Sequence, residues 1–279
     1  MFSKWPVDNM TITSLIDYFV DQVPKSWLYK YYEKRLEKGI RKKSPPNHLG
    51  IILDGTRRYS FLNDNDLNKA YRRSIKTFED CLDWCIENGI KTITAYAFSG
   101  ENWSRDSKDV SAVFDAIEDE GKRLIKSPKI HNNQVNIKVI GRTDQLPDSL
   151  IDLINESEKA TQNYDQHYLN IALNYSGRKE IVDATKKMMN EAKEGRLEPE
   201  SVDEDTFEKY LYSSHLPKEI LDVDLVIRTS GEKRLSGFLL WQSAYSELVF
   251  VDVYWPEFRK IDFLRAIRLY QKRKRRFGN

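Results

Sequence analysis

Along this chain the spacing of apolar and polar positions changes period. After Pro46, short runs rich in Ile, Val and Leu alternate with longer stretches in which apolar residues recur every three or four positions. That is the pattern of strands linked by crossover helices. Strands are predicted over Leu49 to Leu53, Thr92 to Phe98, Val135 to Ile140, Leu169 to Leu173, Leu225 to Ile227 and Leu248 to Val253. Helices are predicted over Tyr71 to Glu87, Val110 to Ile125, Leu146 to Thr161, Lys179 to Glu194 and Phe263 to Lys274. Strands this apolar on both faces imply a parallel sheet covered by helices on both sides. Ligands of such a sheet gather at the carboxyl ends of its strands.

A basic, proline-marked break at Lys42 to Pro46 divides a leading helical, basic appendage, residues 1–45, from the main body, residues 46–279. In the appendage Leu15, Ile16, Tyr18, Phe19, Val20, Trp27, Leu28, Tyr31 and Tyr32 are interleaved with polar residues and lysines. An amphipathic helical segment of this kind either packs on the core or lies against lipid headgroups.

The 279 residues, 40% hydrophobic and 32% charged, suffice for one large core, so a single α/β domain is expected. With 45 Lys and Arg against 43 Asp and Glu, the net charge of +2 gives no global reason to expect nucleic-acid binding. The two cysteines, Cys81 and Cys85, are spaced for one helix face; with no His or Cys pair nearby they make a poor zinc site and read as packing residues. The sequence has no signal-peptide core and no apolar run long enough to span a bilayer, so a cytoplasmic protein is expected. Among the scattered histidines only His48 lies beside a polar cluster, where it starts a strand.

Three predicted strands end in polar clusters. The first is Asp54, Gly55, Thr56, Arg57, Arg58 and Tyr59. A glycine permits close backbone approach, guanidiniums meet oxyanions and a carboxylate holds magnesium, so the set suits a diphosphate; an Asp-Gly turn with solvated arginines is the plain alternative. The second is Phe98, Ser99, Gly100, Glu101, Asn102, Trp103, Ser104 and Arg105. A capping loop around a buried tryptophan accounts for Ser99 and Trp103 but not for Glu101, Asn102 and Arg105. The third places Arg228, Arg234, Leu235 and Ser236 around a glycine-containing turn. A guanidinium ending a buried strand needs an anion or an ion-pair partner. Glu247 and Arg276, taken singly, read as surface charges.

Together HLGIILDGTRRYS, YAFSGENWSR, LNIALNYSGRKEI, DLVIRTSGEKRLSGFLLWQSAYSELVF and the closing RRFGN resemble the cis-prenyltransferase family, over His48 to Gly278. The resemblance implies a single domain with a central six-stranded, mostly parallel sheet flanked by helices, an apolar product tunnel and a homodimer. It implies an enzyme that uses Mg2+ to condense isopentenyl diphosphate onto an allylic diphosphate, farnesyl or geranylgeranyl, giving a polyprenyl diphosphate, the precursor of a glycosyl carrier lipid. By position, Asp54 is then the essential magnesium and diphosphate residue, and Gly55, Arg57 and Arg58 cradle the allylic diphosphate, with Thr56, Tyr59 and Tyr71 nearby. Ser99, Glu101, Asn102, Trp103 and Arg105 line the reacting centre beside Phe98 and Gly100, with Asn102 or its neighbours implicated in proton removal. Arg228, Arg234 and Ser236 bind the isopentenyl diphosphate, Glu247 helps hold magnesium, and Arg276 and Gly278 reach the partner subunit's site.

Three positions depart from the family pattern: Thr56 stands where Asn is usual, Tyr71 where His is usual and Ser74 where Gly is usual. Two rival readings come from other classes. A non-catalytic partner subunit is opposed by the presence of Asp54. A basic module built on Lys272 to Arg276 lacks the aromatic stacking pattern of RNA readers, whereas peripheral membrane contact is compatible with an enzyme whose product enters lipid.

Overall fold

A computed structural model describes residues 25–64 and 66–273. Leu15 to Val20, Lys274, Arg276 and Gly278 lie outside them, and of Trp27 and Leu28 only the backbone is described. In chain order the elements are α1 (Lys25–Ile40), β1 (His48–Ile52), α2 (Thr56–Leu62), α3 (Leu67–Glu87), β2 (Thr92–Tyr96), α4 (Ser107–Ile125), α5 (Pro128–Asn132) and β3 (Val135–Ile140). There follow α6 (Asp148–Thr161), β4 (His167–Ala172), α7 (Gly177–Lys193), α8 (Glu204–Glu208), β5 (Leu225–Arg228), β6 (Glu247–Phe250) and α9 (Lys260–Lys272).

The six strands form one sheet in the order β3-β4-β2-β1-β5-β6, and every pairing is parallel. The expected sheet was mostly parallel, and it is wholly so. Alternate residues face opposite ways. Leu49, Ile51, Ile93, Ala95, Ile137, Leu169 and Ile227 pack under α3 and α9. Ile52, Tyr96, Ile140, Ala172 and Val226 pack on the other side with Tyr175, Phe238 and Leu239. From β1 the chain moves outward to β2 on one side, and β5 and β6 add on the other side. The carboxyl ends of β1 and β5 therefore flank the switch point where such sheets bind ligands.

α1 packs along α9, with Leu36 and Ile40 buried in the main core and Glu37 paired with Lys260 at 2.7 Å, while Tyr29 and Tyr31 stay exposed. Cys81 and Cys85 are free and buried on α3, as packing residues. Among the described residues, no helix is long and apolar enough to cross a membrane.

Near the amino ends of the strands a buried polar chain ties β1, β2 and β4 together. His215 Nε2–H donates to Asn170 Oδ1 (2.9 Å), Asn170 Nδ2 to Thr94 Oγ1 (3.1 Å), and the Thr94 hydroxyl to His48 Nε2 (2.7 Å). His48 Nδ1–H then donates to the Ile220 carbonyl at 3.0 Å. With His48 neutral and its proton on Nδ1, Nε2 is free to accept from the Thr94 hydroxyl; a second ring proton would force that hydroxyl to turn away. Burial pulls both rings down to about 4. A base lowered in the folded state adds stability that is complete above its ordinary value near 6.5 and is lost as pH falls towards 4, worth up to roughly 3 kcal/mol for His48. Carboxyls raised in the fold, Glu120 among them, act in the opposite sense over the same range, so the readout is an NMR titration of the ring protons. We expect His48 and His215 to titrate near pH 4; midpoints near 6.5 would show that the chain is not buried as a neutral unit.

Candidate active site

β1 runs straight into Asp54, whose main chain is pinned on both sides: Trp255 N–H donates to its carbonyl at 3.0 Å and the Thr229 hydroxyl at 2.7 Å. Gly55 follows with φ at +104°. A Cβ there would stand 2.6 Å from the Tyr254 ring and 3.0 Å from Ser230 Cβ. Only glycine fits both the dihedral and the space, and the turn it permits launches α2 with Arg57 and Arg58 on its first turn.

The centre of the site is a ring of charge across the β1–β5 switch point. Arg228, the last residue of β5, keeps only 6% of its side chain exposed and donates from Nη2 to Asp54 Oδ2 at 2.7 Å. Its Nη1 donates to Ser236 Oγ at 2.8 Å and to the Arg234 carbonyl. Arg58 Nη2 donates to Asp54 Oδ1 (3.2 Å) and Ser230 Oγ (2.6 Å), and its Nη1 donates to Glu232 Oε1 (3.2 Å). Burial alone would raise the Asp54 carboxyl, but the hydrogen bond and charge of Arg228 and the charge of Arg58 outweigh it and hold it below the usual carboxylate value. Ser230 and Ser236, which feed hydroxyls to the two guanidiniums, take positive φ of 72° and 50°. A left-handed backbone at non-glycine residues costs energy and is kept where the surroundings enforce it. Arg228 Nε is buried with no hydrogen-bond partner, so this guanidinium is held through its two terminal nitrogens alone.

Around this ring the structure gathers most of the expected residues. Asp54, Gly55, Thr56, Arg57, Arg58, Tyr71, Ser99, Glu101, Asn102, Arg105, Arg228 and Ser236 line one cleft at the carboxyl edge of the sheet. Asn102 lies in a 3₁₀ turn, Gly100–Ser104, and its Oδ1 accepts from Ser99 N–H at 3.1 Å. A carboxamide has no useful basicity, so Asn102 is not itself a group that takes up a proton. Burial raises the Tyr71 hydroxyl above its usual value against the pull of Arg105, and burial pulls the Arg105 guanidinium down. The hydroxyl of Thr56 bonds Ser74 at 2.8 Å, so two of the departing positions satisfy each other.

Other expected residues stand apart from the cleft. Phe98 is buried in a core cluster, and Trp103 lies edge-on to its ring while donating to Asn174 Oδ1 at 2.9 Å. Gly100 starts the 3₁₀ turn and Leu235 packs against the second core cluster. Tyr59 faces a separate groove with Arg73 and Arg259. Arg234 is exposed and paired with Glu232, contributing its carbonyl to Arg228. Glu247 is not brought to Asp54: β6 pairs Glu247 with Leu225, at the amino end of β5, and Arg228 with Phe250. Its carboxylate is bonded by Arg273 instead. Three residues of strand, about 10 Å, separate the two levels.

Sequence reading passed over Phe61, Tyr96, Ser176, Arg178 and Gly237, which also line the cleft. Ser176, Arg178 and Gly237 arrive together because Gly177 lets the start of α7 meet the Ser236 turn: a Cβ on it would stand 2.7 Å from the Gly237 carbonyl, which accepts Gly177 N–H at 2.7 Å.

The cleft continues into a second, apolar cavity between the sheet and α3, α4 and α6. Leu53, Thr56, Tyr71, Ala97 and Val113 line both. A polar mouth rich in guanidinium joined to a buried hydrocarbon wall fits an amphiphile with an anionic head.

The comparisons agree with that geometry. A family model described as "Putative undecaprenyl diphosphate synthase" matches residues 52–278. The chain belongs to this prenyltransferase family. A Methanopyrus kandleri relative is 47% identical over 251 residues, 90% of this chain and 91% of its own, and one from Thermoplasma volcanium is 46% identical over 249 residues, 89% and 95%. Both are named tritrans,polycis-undecaprenyl-diphosphate synthase (geranylgeranyl-diphosphate specific). Lavandulyl diphosphate synthase from Lavandula x intermedia, solved in complex with dimethylallyl diphosphate, superposes with a TM-score of 0.80 at 31% identity, over 85% of this chain and 99% of that one. The cis-prenyltransferase fold expected from the motifs is therefore the fold of this chain.

For this prenyltransferase, Gly55→Ala forces a methyl into the Tyr254 ring at a positive φ. We expect a loss of about 1–3 kcal/mol in denaturant unfolding, with a lower midpoint and unchanged slope. A midpoint equal to the parent's would show that the Asp54 turn is not constrained as described.

Proposed function

We propose that this chain condenses isopentenyl diphosphate onto an allylic diphosphate, geranylgeranyl diphosphate first among the candidates, with a cis double bond formed at each step, to give a polyprenyl diphosphate used as a glycosyl carrier lipid precursor. The observation that carries this reading is the continuity of the arginine-lined cleft with the apolar cavity through Leu53, Ala97 and Val113. An allylic diphosphate sets its head beside Arg57 and Arg58 and its tail down the cavity. Isopentenyl diphosphate takes the Arg228, Ser236 and Arg178 side of the same cleft.

Held side by side, the two reacting carbons meet without the entropic cost of a bimolecular encounter. The allylic C–O bond breaks, its electron pair leaving with the diphosphate. The isopentenyl double bond forms the new C–C bond, and a proton is lost from the adjoining carbon. Arg57 and Arg58 stabilise the charge that develops on the departing oxygens. Among the described residues Asp54 and Glu101 are the carboxylates that line the cleft, and with Asp54 engaged by two arginines, Glu101 is the candidate to receive the proton.

Magnesium dependence is part of the proposal. Among the described residues no three His, Cys, Asp or Glu side chains are gathered as a ready-made metal cage. Magnesium commonly uses one or two carboxylates and completes its shell with phosphate oxygens and water, and Asp54, ionised and 26% exposed at the cleft wall, fits that role. When bound with the diphosphate, the ion supplies Lewis-acid neutralisation of the leaving group. Glu247, as placed in the single chain, lies too far along β6 to share it with Asp54. A homodimer in which Arg276 and Gly278 approach the partner's site, a cytoplasmic location with peripheral membrane contact, and the division into an appendage (1–45) and a catalytic unit (46–279) complete the proposal. The assembled Asp54, Arg58 and Arg228 favour a catalytic chain over a silent partner subunit.

Asp54→Asn preserves shape while removing the charge. With geranylgeranyl diphosphate and labelled isopentenyl diphosphate, incorporation is expected to fall about 100-fold or more, with secondary structure retained, and chelation of magnesium should abolish it in the parent. Full activity of folded Asp54→Asn would defeat the catalytic assignment.

A further inference from the structure

Along α4 the residues facing the apolar cavity are Val113, Ala116, Ile117, Glu120, Gly121 and Leu124. Their spacing is the i, i+3, i+4, i+7 stripe of an amphipathic helix, and Glu120 occupies a position on it where a hydrocarbon belongs. It is the one charged side chain lining that cavity among the described residues. Only 7% of its side chain is exposed, and neither carboxylate oxygen has a hydrogen-bond partner. Arg123 Nη1 stands 3.1 Å from Oε2 but without hydrogen-bond geometry, and Arg123 gives its better contact, 2.7 Å from Nη2, to Glu79 Oε1 on α3. A buried carboxylate whose polar neighbours are another carboxylate and one misaligned guanidinium is expensive in a fold. Burial and the like charge of Glu79, against the pull of Arg123, push it up to about 7.

Its position along the cavity gives the feature a use. Val113 lines the mouth shared with the polar cleft. Glu120 lies seven residues, about 10 Å, further down the helix axis. Leu124, Ile137 and Ser157 line the cavity on the far side. Above Glu120 the wall is mostly apolar, and the hydroxyls of Thr56 and Ser74 there are bonded to each other.

We propose that Glu120 is a product-length determinant: chains that stay above its carboxyl are held by apolar contact, and chains that pass it must pack hydrocarbon against a buried polar group. The proposal rests on the polyprenyl synthase reading of the site. A methylene chain packed beside the carboxyl offers it no hydrogen bond and gains less than it would against an apolar side chain. Each further condensation beyond that depth is therefore disfavoured relative to release, and polarity, not bulk, sets the limit.

The test compares the parent with Glu120→Leu, Glu120→Gln and Glu120→Ala in the full-length chain, using magnesium, geranylgeranyl diphosphate and labelled isopentenyl diphosphate, with products resolved by length at equal substrate consumption. Glu120→Leu, similar in size and apolar, is expected to lengthen the most abundant product by one or more isoprene units. Glu120→Gln should give a smaller shift in the same direction, and serves alone if the Leu variant does not fold. Parent-length products from active Glu120→Leu, or lengthening in Glu120→Ala alone, would overturn the inference while leaving the synthase intact. No incorporation by the folded parent would overturn the synthase reading and the inference with it.

Discussion

The ion pair between Asp54 and Arg228 is the interaction on which the rest of the site depends. It joins the ends of two adjacent parallel strands, β1 and β5, on either side of the switch point of the sheet. A guanidinium as buried as that of Arg228 is tolerated only when paired, and taking one partner from such a pair typically costs about 3–5 kcal/mol. Its geometry sets everything around it. Asp54 is fixed by Trp255 and Thr229, Gly55 turns the chain so that Arg58 reaches the other carboxylate oxygen, and the Ser230–Ser236 turn wraps back to satisfy both arginines. The cleft is therefore positively charged by construction, with its one central carboxylate already neutralised, which suits it to anions that bring a cation with them.

The second constraint is that this charged mouth opens on a hydrocarbon wall. Leu53 and Ala97 follow directly on β1 and β2, so the strands that deliver Asp54 and Ser99 also deliver the apolar neck. α3, α4 and α6 cover the sheet there without filling the space completely. One set of strands thus holds both ends of an amphiphile in fixed register, and reaction at the head is coupled to accommodation of the tail.

Much of this was legible in the residues. The strands and long helices follow from the change of period, and the polar clusters fall at strand ends because a parallel sheet leaves its carboxyl ends free for ligands. The misses share one cause, that tertiary placement is not carried by local pattern. The apolar period predicts no helix before Tyr71, yet Thr56–Leu62 is one, because Gly55 supplies the positive φ that turns the chain into it. Glu247 lay in a family motif beside a strand, but strand register puts it at the amino edge, away from Asp54. Ser176 and Arg178 enter the cleft only because Gly177 allows two backbones to touch. Glu120 looked like any charge on a helix until α3 and α6 closed over it.

The central claim is that one molecule spans both compartments, with its diphosphate at the Asp54–Arg228 ring and its tail between the sheet and α4. A non-hydrolysable geranylgeranyl diphosphate analogue carrying a photoreactive group at the end of its tail tests it most directly, with the labelled peptides identified after irradiation. Labelling confined to cavity-facing segments of α3, α4 or α6, and suppressed by excess unlabelled analogue, is the predicted result. Competitive labelling of the outer surface alone, or of the groove beside Tyr59 and Arg73, would contradict it.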